Sequence, residues 1–151
     1  MDLYSIDTKP FKKIFTLIQL FSVAAILASF FLARTGWFFV PAFAFSRQIT
    51  LPLLLIMFIA TFLHGRALRK RIAAIGEIEN FETKVEEYER YYRYRLQWNL
   101  IACLILCILF VLTGRYFFFY FSIFQVVLVI PFYPSQLLFR RELKNEEIIL
   151  Y

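Results

Sequence analysis

The residues that could carry chemistry are few. His64 is the only histidine, and it closes an apolar run just ahead of Arg66, Arg69, Lys70 and Arg71. A histidine there could relay protons or bind a metal. A metal site needs further nitrogen or sulfur ligands, and no second histidine exists, so an interface residue is the favoured reading. Cys103 and Cys107 lie four apart inside one apolar run. On a helix they share a face one turn apart and staple no loop, so they read as small buried hydrophobes. Six glutamates stand at positions 77, 79, 82, 86, 87 and 89, a pattern that a solvated helix face explains. Gly-rich phosphate loops, Cys-x-x-Cys pairs and nucleophile–base arrangements are missing from the sequence. No catalytic residue, cofactor or metal is therefore expected.

Weaker polar signals lie inside the apolar runs. Thr16, Gln19 and Ser22 recur every three residues, and Ser29 continues a small, weakly polar stripe. Such a stripe lets helices approach and hydrogen-bond, and the alternative is the lining of a pore. Gln125 is the best single polar candidate, expected to bond across to a neighbouring helix. The segment Tyr88–Trp98 (YERYYRYRLQW) has the composition of a nucleic-acid stacking surface. Its place just before an apolar run makes it a belt facing lipid headgroups instead, and no nucleic-acid partner is expected.

The elements that position these residues follow from hydropathy. Of the 151 residues, 61% are hydrophobic, 21% aromatic and 19% charged. A small soluble monomer could not cover its surface with so few polar groups, and disorder is excluded by the same composition. The natural class is an all-α integral membrane protein. Ile14–Ala33 runs twenty residues without a charge, enough to cross a hydrocarbon core of roughly 30 Å. It is too long for a signal peptide's apolar stretch and reads as an uncleaved first span. The second span is 49–65, with Pro52 in its first turn and His64-Gly65 at its end. The third is about 96–112, around thirteen uninterrupted apolar residues from Leu100, and the fourth is about 116–132. Two antiparallel helical hairpins packed side by side are expected, forming a single membrane domain. The aromatic loop from Trp37, with Phe38, Phe39, Phe43 and Phe45, reads as an interfacial belt.

Residues 66–95 are the one substantial polar segment. Ile72, Ile75, Ile78, Phe81, Val85, Tyr88 and Tyr92 recur at steps of three or four, an amphipathic helical stripe. A turn near Gly76–Asn80 would place the basic 69–71 block opposite the acids at 85–89, giving a helical hairpin. Ser135 is a candidate N-cap for a short amphipathic helix within 135–145, expected to lie along the membrane interface.

Charge sets the orientation. Arg34, Arg47 and Arg115 fall on one side of a four-span chain, and the other fourteen of seventeen basic residues fall on the side of the termini. The positive-inside rule then puts both termini and the 66–95 hairpin in the cytoplasm, with a bacterial inner membrane favoured over an organelle membrane. Lys12, Lys13, Arg69, Lys70, Arg71, Arg93, Arg95, Arg140 and Arg141 are the expected contacts to anionic headgroups. Thr35-Gly36 and Thr113-Gly114 recur at the ends of the first and third spans; local convergence is favoured over duplication.

These features lead to two functional expectations. The first is a non-enzymatic membrane-embedded subunit or scaffold that assembles with itself or with other membrane subunits, docking through the 66–95 hairpin. The alternative is a homo-oligomeric channel or depolarising pore lined by the first span.

Overall fold

The computed structural model describes residues 5–38, 40, 47–145 and 147–150, with the backbone alone at 47–50 and 150. The expected aromatic belt lies partly outside these residues, at Phe39, Phe43 and Phe45; Trp37 and Phe38 are both exposed.

Five α-helices are described: α1 (Lys9–Thr35), α2 (Arg47–Gly76), α3 (Phe81–Thr113), α4 (Tyr116–Val129) and α5 (Gln136–Leu143). A 3-10 turn, Ile130–Phe132, extends α4. Three helices are long and apolar enough to cross a membrane, and a fourth qualifies if the bent pair 116–132 and 136–143 is one span. The bend is 81°. Pro131 and Pro134 account for it, because each removes a helical N–H and restricts the residue before it.

Local sequence explains where the helices stop. Gly36 and Gly114 take left-handed φ values of 69° and 64° after α1 and α3. Each is preceded by a threonine whose hydroxyl donates to the carbonyl of Leu32 (2.7 Å) or Leu109 (2.6 Å). The repeated Thr-Gly is thus a self-contained helix stop. Asn80 caps α3 by accepting from the Thr83 amide at 3.2 Å, and Ser135 caps α5 by accepting from Leu138 at 3.3 Å.

The helices outrun the apolar segments. α2 continues unbroken through Gly65 to Gly76, so His64-Gly65 does not end it, and Pro52 lies inside the helix rather than in its first turn. The apolar run ends there, but the Arg and Lys residues beyond it are good helix formers and carry the helix on. α3 likewise runs as one helix from the polar segment into the apolar run. Between them Glu77–Asn80 breaks the helix, and Arg71 comes within 4.0 Å of Glu87, the opposition of charge that the sequence blocks implied.

Helix partners differ from the expected pairs at the first hairpin, whereas α3 and α4 pack closely together. α1 packs mainly along α3 and also against α4, while α2 touches α3 and α5. α1 and α2, consecutive in the chain, share little direct contact among the described residues.

Segments near the two ends of the described residues meet. Ser5–Ile6 and Ile149–Leu150 form a two-stranded parallel ladder that sequence patterning did not indicate. Two residues carry no readable alternation. Ile6 and Ile148 enter the main core, with Phe11, Ile75, Tyr88, Tyr92, Leu96 and Phe139.

Candidate functional site

Three features of the bundle stand out, each with its own chemistry. The first is a close-packed layer of small residues. Ser22 and Ser29 on α1 are buried, and their hydroxyls donate to their own helix at Ile18 (2.9 Å) and Ile26 (2.8 Å). Cys103 and Cys107 on α3 and Ser122 on α4 are buried as well, with both thiols free. The Cys103 Sγ lies 3.9 Å from the Ser122 carbonyl oxygen. Small side chains that meet their own hydrogen-bonding needs let backbones approach closely. Thr16 is exposed, and Gln19 is half-buried with its amide nitrogen 3.4 Å from the Val126 carbonyl. The stripe therefore does not share one environment: its Ser22–Ser29 part faces the other helices of the same chain.

The second is a buried polar network at the end where Ser5–Ile6 and Ile149–Leu150 pair. Arg95 is 9% exposed. It does not reach outward to headgroups as its sequence context suggested. Its Nη1 donates to Glu142 Oε1 at 2.9 Å and to the Tyr91 hydroxyl at 3.3 Å. Its guanidinium carbon sits 3.3 Å from the Phe132 ring centroid, a cation–π contact. The Tyr88 hydroxyl donates to the other Glu142 oxygen at 2.7 Å, and Tyr92 donates to the Phe132 carbonyl at 2.8 Å. Burial pushes the Tyr88 phenol up from its ordinary range, and the charge of Glu142 and the hydrogen bond to it push the same way. Burial also raises Tyr92, against a lowering by Arg95. These phenols stay neutral and act as donors.

An aromatic core surrounds the network. Phe139 meets Phe11 edge-on at 5.1 Å and Tyr88 at 5.5 Å, and Phe11 meets Tyr92 at 5.4 Å. Tyr88, Tyr91 and Tyr92 are buried, so this face of the Tyr88–Trp98 belt is turned into protein. The apolar face of α5 is used the same way: Leu138, Phe139 and Leu143 are buried in the core. Glu142 was missed at the sequence level. Its signal was its register, three residues from Phe139 and four from Leu138 on that apolar face.

The third feature is a slot of about 320 Å³ between α2 and α4, floored by α3. His64 and Arg69 of α2, Arg95, Trp98 and Asn99 of α3, and Gln125 of α4 line it. His64 stacks on Trp98, with ring centroids 4.3 Å apart and planes 19° apart. Among the described side chains, His64 Nε2 is the one buried nitrogen or oxygen without a hydrogen-bond partner. Asn99 donates to the Arg95 carbonyl at 3.0 Å. No carboxylate lines the slot, so its polar groups present positive charge and neutral hydrogen-bonding atoms.

The remaining basic residues, Lys12, Lys13, Arg69, Lys70, Arg71, Arg93, Arg140 and Arg141, are exposed. Arg93 pairs with Glu89 at 2.9 Å, and Arg140 lies 3.4 Å from the Ile148 carbonyl, so these two also serve the protein's own surface. Among the described residues no cluster of His, Cys, Asp or Glu could hold a metal ion. No protein-family model, no curated protein and no solved structure matches this chain.

Proposed function

We propose that the chain is an integral membrane protein with a non-enzymatic role, an embedded subunit that associates with further copies of itself or with other membrane subunits. The observation that carries this is α2. None of the residues in its apolar window is buried by the other described residues, against 28% for α1 and 33% for α3. Leu51, Leu55, Phe58, Ile59 and Phe62 are all exposed. A helix held so loosely by its own chain is suited to packing against a neighbour in the bilayer.

The stripe of the 66–95 segment is covered by α1, α5 and the terminal strands. We therefore place the docking surface on the spanning part of α2, with the charged outer face of 66–95 as its continuation. The pairing of the two chain ends supports termini on one side of the membrane, and the bias of basic residues favours the cytoplasmic side of a bacterial inner membrane.

The test is the native mass of the protein extracted in mild detergent, with its components identified. Multiples of the 18.1 kDa chain or a stoichiometric second subunit are expected. Phe58→Ala combined with Phe62→Ala should shift the population toward single chains. A single chain at every protein and detergent concentration tried would overturn the reading.

A further inference from the structure

We infer that the slot between α2 and α4 is a binding site for the anionic phosphate head of a single membrane lipid. The inference rests on membrane residence but not on oligomerisation.

Position is the first argument. The slot is built from residues at the end of the apolar part of α2, the start of that of α3, and the end of α4. In a bilayer that is the level of the lipid phosphates, where Trp and Arg side chains anchor spans. Trp98 and Arg69 both line the slot.

Charge is the second. The slot holds two guanidinium groups and no carboxylate. Glu142 neutralises Arg95 from outside the lining. Arg69 is exposed, and its Nε makes only a long 3.4 Å contact to the Gly65 carbonyl. It leaves the site with uncompensated positive charge that a phosphate would meet, and arginine's planar fork suits phosphate oxygens.

The unmatched histidine is the third. A buried polar atom without a partner calls for an explanation. His64 Nε2 can donate to a phosphate or glycerol oxygen, its ring held in place by Trp98. Gln125 and Asn99 supply further polar atoms in the slot's lining.

Shape is the fourth. Most of the slot's surface is apolar, with Leu68, Leu128 and Phe132 among its walls. α2 and α4 face each other across it, and Leu128, Val127 and Phe124 of α4 are exposed along the side an acyl chain would follow. A volume of about 320 Å³ fits a headgroup and the first carbons of its chains, not a whole lipid.

Trp98 provides the readout. The chain has two tryptophans, so Trp37→Phe leaves Trp98 as the sole reporter. The purified full chain in mild detergent is titrated with brominated phosphatidylglycerol, and quenching of Trp98 is followed. Saturable quenching is expected, displaced by unbrominated phosphatidylglycerol and not by phosphatidylcholine with the same chains.

Arg69→Gln should weaken binding about tenfold, the size of one charge-assisted hydrogen bond. Arg69→Lys, which keeps the charge but loses the planar fork, should weaken binding by less than Arg69→Gln does. Arg90→Gln, outside the slot lining and paired with Glu87, should leave binding unchanged. Thermal unfolding of each variant separates lost binding from lost fold. Equal displacement by the two lipids, or unchanged binding in folded Arg69→Gln, would overturn the proposal. Protection from quenching by millimolar inorganic phosphate alone would overturn the lipid assignment in favour of a soluble anion.

Discussion

The middle of the bundle and its terminal end are held together by opposite means. In the middle, Ser22, Ser29, Cys103, Cys107 and Ser122 bring α1, α3 and α4 close with small side chains, while Phe121, Phe124 and Leu27 point outward. At the end, Phe11, Tyr88, Tyr92 and Phe139 form a core of large rings around an ion pair. On the membrane reading proposed above, the contrast follows from the two solvents. Inside a bilayer a phenyl ring gains little by leaving lipid, so helix contacts rely on close packing. In contact with water, burying a large ring is the main driving force, and polar groups must be paired when buried.

The largest effect expected from this contrast is at Phe139, which is fully buried. Phe139→Ala should destabilise the protein by about 3–5 kcal/mol, while Phe121→Ala, 43% exposed on the apolar helix α4, should change stability by about 0.5 kcal/mol or less. Unfolding in mixed micelles measures both. Equal effects would erase the distinction between the two regions.

Next comes the ion pair, whose side chains are each 11% exposed. Arg95→Met alone should cost about 3 kcal/mol by leaving Glu142 buried without its cation. Adding Glu142→Leu should restore most of that loss, although Tyr88 then loses its acceptor. A double variant no better than the single one would mean that the pair is replaceable by packing less readily than proposed.

The small-residue layer should answer to size rather than polarity. Ser22→Ala should cost about 0.6 kcal/mol or less, because the hydroxyl donates within its own helix and its partner across on α3 is the weakly bonding Cys103 thiol. Ser22→Leu should cost about 1–3 kcal/mol by forcing α1 away from α3. Comparable costs for the two would remove close packing as the explanation.

The smallest effect is a pH dependence at the terminal end. Tyr88 and Tyr92 are held above the ordinary phenol value of 10.0. In the unfolded chain they ionise near that pH; in the folded protein they remain neutral. Their contribution to stability is therefore complete below pH 10 and declines as pH rises beyond it. Ultraviolet titration should find them absent from the set of tyrosines that ionise near the ordinary value, and Tyr88→Phe should flatten the alkaline decline.

Much of this architecture is legible in the residue order. The long uncharged runs are helical, and Thr35-Gly36, Thr113-Gly114, Asn80 and Ser135 mark local stops and starts. The stripe from Ile72 to Tyr92 indicated an inward face, because periodicity along one helix is a local property. What covers that face is not local. Only the tertiary structure brings Glu142 to Arg95 across 47 positions, turns α5 onto Phe11 and Tyr88, pairs Ser5–Ile6 with Ile149–Leu150, and packs α1 on α3 rather than α2. The slot containing His64, Arg69, Asn99 and Gln125 draws on three helices and appears in none of their sequences alone. Hydropathy and capping depend on near neighbours in the chain, whereas the choice of partner depends on which faces fit together in space.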